Sequence, residues 1–332
     1  MRPYTSGTKP AFEVQVGYRR NSQSAYNRIF NYPAIGLSLY RGSPGKKEVV
    51  GNVTSALMFM EFTLREKQAS ALRVKYSFGL AHFSTYYDSE TNPVNEAIGA
   101  PINVHVNLNL TYNYYYHESL DLTLGLGLTH FSNGAYKMPN KGINMYDINA
   151  GLRYYLHPRE THPRFDNKKM VVVFQPLLRF QTIATAGIMQ IDDDPVYYPV
   201  SDLSLNLSVQ SQFKTRGGIG FDLFYNGYTY RMLKSEVENF LLLNSLRGGI
   251  YGAFELDFNR LAVVYNLGFY VFYKAEPIKP MYQKVGLRYR LNDRVFAALS
   301  LKAHRNKAEY TQLGLGYTII SHSMKKGGYR GF

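Results

Sequence analysis

The 332-residue chain contains no cysteine and no tryptophan, and only 19% of its residues are charged. Without cysteine there is no disulfide framework, no thiol nucleophile and no thiolate zinc site, a composition that suits passage through an oxidising compartment. Long apolar runs are missing as well. Met170–Phe174 and Phe240–Leu243 fall far short of the roughly 18 to 20 residues that a membrane-spanning helix requires. The opening Met1-Arg2-Pro3-Tyr4-Thr5 has no apolar h-region, so a secretory leader is expected to have been removed from this chain. Dense basic patches are absent too: 38 Lys+Arg against 24 Asp+Glu give a net charge of +14, but the charges are scattered, with only short pairs such as Lys46-Lys47 and Lys325-Lys326. This argues against a nucleic-acid platform and leaves anionic lipid or a phosphorylated glycolipid as partner. There is no Gly-rich phosphate loop and no HExxH motif, and His157, His162 and His304 lack metal-ligand spacing, so no metal or other cofactor is expected.

What the chain does hold is 30 Tyr, 28 Gly and 20 Phe, a mixture that favours strands and tight turns over long helices. Its apolar residues recur every second position. Ile102, Val104, Val106, Leu108 and Leu110 share one parity, with Asn103, His105, Asn107 and Asn109 on the other. Leu122, Leu124, Leu126 and Leu128 alternate in the same way with Thr123, Gly125 and Gly127. Strands are expected at 11–19, 52–66, 70–86, 101–116, 119–132, 144–157, 168–184, 199–213, 216–230, 247–258, 260–274, 282–291, 293–304 and 308–320, fourteen in all, with 12 to 16 compatible with the pattern. Residues 33–42 are assigned to an external excursion spanning 20–51, and 235–246 to one or two helical turns.

These strands exceed the usual 5 to 6 residues of soluble sheets and suit the roughly 9 to 11 residues of a membrane barrel. Short connections at Lys67-Gln68-Ala69, His117-Glu118, Asn259 and Asn292 alternate with long ones at 87–100, 133–143, 185–198 and 231–246. In barrels of this kind the short turns are periplasmic and the long loops external. The expected fold is therefore all-β, a transmembrane antiparallel up-and-down barrel formed as one domain over 1–332, in the bacterial outer membrane. Inward-facing Arg73, Lys75, Arg153, Arg179, Glu255 and Asp257 either line a pore or fill the interior as ion pairs. Asp192-Asp193-Asp194 reads as a solvated loop run rather than a calcium site.

Chemistry concentrates at residues 130–144. The last two outward positions of strand 119–132 are polar, His130 and Ser132, and residues two apart on a strand share a face about 7 Å apart. Strand 144–157 begins with an outward Asn144. Pairing Ser132 with Asn144 and His130 with Tyr146 makes Asn144 the diagonal neighbour of His130, where its amide oxygen holds one ring nitrogen and frees the other to take the serine proton. Asp147 has the wrong parity for that role, and a neutral Asn avoids the cost of a lipid-facing carboxylate. A backbone N–H near Gly134 and the side-chain amide of Asn140 are the oxyanion candidates. His82-Phe83-Ser84 repeats the tripeptide with the same parity but without a following Asn-Gly or a matching outward Asn, and serves as an internal control.

The run Thr129-His130-Phe131-Ser132-Asn133-Gly134, followed by Pro139-Asn140-Lys141-Gly142-Ile143-Asn144, resembles the signature of the outer-membrane lipid A 3-O-deacylase (acyloxyacyl hydrolase-like) family. The resemblance implies a Ser-His-acid triad on the outside of a barrel that removes an ester-linked acyl chain from lipid A. Ser132 would be the nucleophile, His130 the base and Asn140 an oxyanion-region residue, with Asn144 standing where the family commonly has Glu. The same residues also resemble outer-membrane phospholipase A, a calcium-dependent, dimerising enzyme with a Ser-His-Asn triad. Between Gly134 and Asn144 no Ser, Asp or Glu is present to hold calcium, whereas Lys137 and Lys141 offer charge to lipid A phosphates. The expected activity is a serine esterase acting on lipid A or lipopolysaccharide in the membrane; phospholipase A, with calcium and a phospholipid substrate, and a non-catalytic porin-like barrel are its rivals.

Overall fold

The structure is a computed structural model that describes residues 9–19, 24–158, 175–191, 194–274, 279–305 and 307–324. The start of the strand expected at 168–184, Met170–Phe174, Asp192, Asp193, His162 and the two chain ends lie outside the described residues. Fifteen strands are present among those described: β1 (Ala11–Arg19), β2 (Ala34–Gly42), β3 (Val53–Glu66), β4 (Ser70–Phe83), β5 (Ile102–His117), β6 (Leu120–Ser132), β7 (Ile143–Tyr154), β8 (Leu177–Met189), β9 (Tyr198–Gln210), β10 (Thr215–Asn226), β11 (Leu246–Phe258), β12 (Leu261–Tyr273), β13 (Met281–Arg290), β14 (Val295–His304) and β15 (Lys307–Ser323). All their pairings are antiparallel. No helix of the described residues is long and apolar enough to cross a membrane.

The strands fall into two compact units. In the first, β1 to β7 form one sheet in sequence order; in the second, β8 to β15 close into an eight-stranded barrel through the pairing of β15 with β8. Gly134 to Tyr136 group with the second unit. The fourteen expected strands become fifteen because 34–42 is β2 and not an excursion. Its outward Ile35, Leu37 and Leu39 are exposed while Ser38 is buried, and it ladders with β1 and β3 together, Ala34 lying opposite both Arg19 and Glu61. The helical turns expected at 235–246 are displaced as well. After two short helices, α1 (Ala25–Ile29) and α2 (Lys47–Val50), helix α3 (Gly227–Glu236) begins earlier than expected, because the Asn226 side chain caps the N–H groups of Tyr228 and Thr229, and a 3₁₀ turn follows at Leu242–Ser245.

The alternation has the expected sense. Leu124, Leu126 and Leu128 are 58%, 61% and 47% exposed, whereas Gly125 and Gly127 between them are buried. Inward charges are paired. In the first unit Arg153 makes two bonds to Glu61, at 2.8 and 2.6 Å, and Arg73 lies 3.8 Å from both Glu61 and Asp121. In the second, Lys284 bridges Asp202 and Asp222 at 3.1 Å, Arg216 bridges Glu255 and Asp257 at 3.0 Å, and Lys302 meets Glu309 at 3.0 Å beneath the ring of Phe224. A buried charge persists only where partners repay its lost hydration, and Arg73, Lys75, Arg153, Glu255 and Asp257 are all paired in this way, Lys75 with Glu13 at 3.1 Å.

Candidate active site

β6 rises to the external end of the first sheet through outward Leu122, Leu124, Leu126 and Leu128, and its alternation carries His130 and Ser132 onto the same face. Between them Phe131 turns inward and is fully buried, packed with Phe83, Ile98 and Ile143. This inward anchor fixes the faces of its two neighbours, since a one-residue slip would expose the ring and bury the histidine.

The pairing of β6 with β7 differs from the expected register by two residues. His130 lies directly opposite Asn144, Phe131 opposite Ile143 and Leu128 opposite Tyr146. The shift preserves parity, so the residues expected outward are outward, but it makes Asn144 the direct neighbour of His130 and not the diagonal one. His130 Nδ1 and Asn144 Oδ1 are 2.7 Å apart. An amide oxygen accepts only, so this bond places the ring proton on Nδ1 and leaves Nε2 as the acceptor. Neither that nitrogen nor the Ser132 hydroxyl makes a hydrogen bond among the described residues.

Gly142 faces the end of β6 in a left-handed conformation, φ 67°. A β-carbon there would lie 3.0 Å from the Phe131 carbonyl oxygen, 3.1 Å from His130 Cε1 and 3.5 Å from Ser132 Cβ. A β-carbon here would therefore crowd both candidate side chains at once, and the left-handed conformation favours glycine as well. Its N–H donates to Ala97 O at 3.0 Å instead of extending the β6–β7 ladder, and the Lys141 N–H donates to Glu96 O at 3.0 Å. These two bonds tie loop 133–142 to loop 84–101 and account for the register. Loop 84–101 is pinned in turn by Asn92 and Asn95, whose amides each donate to Val49 O at 2.9 Å.

Asn140 Oδ1 accepts from the Asn133 N–H at 3.0 Å, and Asn133 Nδ2 donates to Lys137 O at 2.6 Å. With its oxygen engaged, the Asn140 amide N–H₂ remains as the donor. Gly134 adopts φ 65°, so the turn after Ser132-Asn133 is one that glycine makes without steric cost. The two loop lysines are not lone charges: Lys141 is ion-paired with Glu96, both half exposed, and Lys137 Nζ sits 5.6 Å from the centre of the Tyr86 ring. Asp147 lies on the inward face, where Thr129 Oγ1 donates to it at 3.3 Å.

The repeated tripeptide is arranged differently. Ser84 Oγ accepts from the Asn52 N–H at 2.9 Å and Ser84 N donates to Asn52 O at 2.9 Å, while His82, outward and exposed, makes no hydrogen bond among the described residues. A further His–Ser contact, His105 Nδ1 to Ser55 Oγ at 2.9 Å, is buried on the inward face against the Phe131 ring and has no access to lipid. Sequence reasoning passed over Gly142, Ala97 and Glu96 as parts of this site. The Asn-rich, Pro-containing stretch 92–99 was the available signal, since two amides three residues apart in a loop commonly satisfy backbone groups.

Residues 12–153 match the family model described as lipid A 3-O-deacylase (PagL), and residues 178–322 match acyloxyacyl hydrolase, C-terminal domain. No curated protein sequence matches the chain. Among solved structures, CdiB from Acinetobacter baumannii is 10% identical over 95% of this chain and 57% of its own length, at a TM-score of 0.21. LpxR from Salmonella typhimurium is 14% identical over 93% of this chain and 99% of its own, at 0.20. A mutant porin of Rh. blastica is 10% identical over 94% of this chain and 100% of its own, at 0.19. This chain thus spans little more than half the length of CdiB.

Proposed function

From the match of residues 12–153 to the lipid A 3-O-deacylase model and of residues 178–322 to the acyloxyacyl hydrolase C-terminal domain, we propose that the chain is an outer-membrane serine esterase of that family that hydrolyses an ester-linked acyl chain of lipid A at Ser132, His130 and Asn144. The observation that carries this reading is the 2.7 Å bond between His130 Nδ1 and Asn144 Oδ1, on the lipid-facing side, with Ser132 two residues along the same strand face.

In this mechanism His130 Nε2 takes the Ser132 proton as Oγ attacks the ester carbonyl, and the ring then returns that proton to the departing sugar hydroxyl. An acyl-serine remains. Water attacks it with the same nitrogen as base, releasing the fatty acid and restoring the serine. Asn144 stabilises the imidazolium by orientation and a neutral dipole, less strongly than a carboxylate but without burying a charge against lipid. The free amide of Asn140 and the backbone N–H of Gly134 supply the donors for the tetrahedral oxyanion. Lys137 and Lys141 offer charge to the lipid A phosphates, with Glu96 tempering Lys141.

Purified protein in mixed micelles, given lipid A or phosphatidylethanolamine separately, with and without EDTA, tests the proposal by mass spectrometry of the products. The expected result is fatty-acid release from lipid A that survives chelation and is lost in Ser132→Ala. Calcium-dependent release from the phospholipid alone would install the phospholipase reading, and release from neither lipid would remove the esterase.

A further inference from the structure

Three consecutive leucines are fully displayed on the external side of the second unit: Leu241, Leu242 and Leu243 are 65%, 59% and 57% exposed. They sit on the 3₁₀ turn that follows α3, which is held by donation from the Asn244 N–H to Leu241 O at 2.9 Å and from Ser245 Oγ to Leu242 O at 2.7 Å. A hydrogen-bonded turn that aims three large apolar side chains away from the protein is costly in water. What surrounds the turn indicates what covers it.

The outward face of β10 is apolar through Ile219 and Phe221 and ends at Tyr225, at the aromatic level of a membrane barrel. From Tyr225 an aromatic ladder continues past the end of the strand. Its ring lies 6.2 Å from that of Tyr230 on α3, and Tyr230 packs edge-on against Phe240 at 5.1 Å. Phe240 leads directly into the leucines. One turn beyond Tyr230, Lys234 places its ammonium 5.7 Å from the same ring; Tyr230 is half-buried and Lys234 exposed, next to the buried Thr229 and Leu233 on α3. Ring contacts thus link the lipid-facing strand to the leucine turn, with the Lys234 ammonium beside the same aromatic ladder, and apolar, aromatic and cationic groups of this kind are the residue types of a membrane interface.

We propose that the Phe240–Leu243 turn is an anchor that inserts into the acyl-chain region of the outer leaflet beside the C-terminal barrel, with the Tyr225–Tyr230–Phe240 ladder as its hinge point at the interface. The occupant of this face is a lipid surface. The inference does not depend on the esterase reading, since it concerns the other unit and is read without turnover.

The chain has no tryptophan, so Leu242→Trp or Leu243→Trp creates a single fluorophore at the turn. Each variant is folded, checked by its heat-modifiable mobility, and reconstituted into phosphatidylcholine vesicles with ordinary or acyl-brominated chains. The expected result is blue-shifted emission, most of it lost in brominated vesicles and little lost to aqueous acrylamide, whereas Glu238→Trp, on the exposed polar stretch before the turn, shows the reverse. Emission at the turn that is quenched by acrylamide and not by bromine overturns the proposal. Emission shielded from both also overturns it, and assigns the leucines to a protein contact such as a second copy of the chain.

Discussion

His82-Phe83-Ser84 on β4 and His130-Phe131-Ser132 on β6 are the same three residues, at the same external end of one sheet, flanking the same strand β5. In each the phenylalanine is fully buried and the other two residues point outward. Each serine even has a left-handed glycine beside it, Gly51 at φ 66° and Gly142 at φ 67°. They part at the hydrogen bonds. Ser84 is spent as an acceptor for the Asn52 N–H, and His82 has no orienting partner; Ser132 is unengaged, and His130 is held by Asn144. The first tripeptide opens loop 84–101, whose Ala97 and Glu96 carbonyls hold the loop that follows the second. Identical residues are therefore tied into the backbone in one place and left unengaged beside an oriented histidine in the other, and the partner supplied by a neighbouring strand makes the difference.

The sharpest way to break this comparison is serine removal. Ser132→Ala and His130→Ala are each expected to lower lipid A deacylation by several orders of magnitude, because members of such a group act as a unit. Ser84→Ala leaves the rate per folded molecule in place while weakening the turn at Asn52. Product mass spectrometry separates the two, and a dead Ser84→Ala beside an active Ser132→Ala would interchange their roles.

A smaller effect is expected from the paired glycines. In Gly142→Ala the new methyl presses on His130 and the Phe131 carbonyl, and a shift of the base by a few tenths of an ångström is expected to cost less than the roughly hundredfold of a 1 Å misplacement, about tenfold in rate. In Gly51→Ala the methyl meets Ser84 Oγ and a left-handed backbone, which costs stability of about 1–2 kcal/mol without touching the rate of folded protein. Chemical denaturation and turnover measured on the same samples distinguish these outcomes; equal rate losses would erase the distinction between the tripeptides.

Asn144→Ala removes one orienting hydrogen bond and no reacting group, so the expected loss is about tenfold in kcat, the worth of roughly 1.4 kcal/mol. The loss should fall on kcat with KM unchanged, since the contact orients the base and touches no substrate. An unchanged kcat would leave His130 no better held than His82.

The smallest effect concerns the loop that joins the two sites. Asp88 is held below the usual aspartate range by the Thr91 N–H, the Thr91 hydroxyl and the Glu90 N–H. A depressed carboxylate contributes order above its unfolded pKa and loses it as pH falls through the folded value. The Thr91 amide resonance should therefore titrate with a midpoint below that of an ordinary aspartate in the wild-type protein, and that step should vanish in Asp88→Ala. A midpoint at or above the ordinary value would show the turn to be unformed.

Much of this was legible in the chain because a strand has a period of two. Alternation alone puts His130, Ser132 and Asn144 on one lipid-facing surface and rejects Asp147, and those placements stand. It also gave β6 and β7 boundaries within one to three residues of those observed. It read β2 poorly, since a strand of nine residues between two loops carries little more pattern than an ordered excursion. The helix at 227–236 was hidden because Asn226 looks like a strand end until its side chain is seen to cap.

By itself, then, the sequence determined the all-β class, the inward and outward faces, and the residues that share the candidate site. Tertiary structure alone decided three things: that Asn144 lies directly opposite His130, that Ser84 is occupied while Ser132 is not, and that the strands divide into a seven-stranded sheet and a closed barrel of eight. The reason is physical. A period of two is unchanged by a register shift of two, and it carries no information about which strand ends the ladder; both are settled by hydrogen bonds between residues distant in the chain, such as Gly142 N–H to Ala97 O and the β15 pairing with β8.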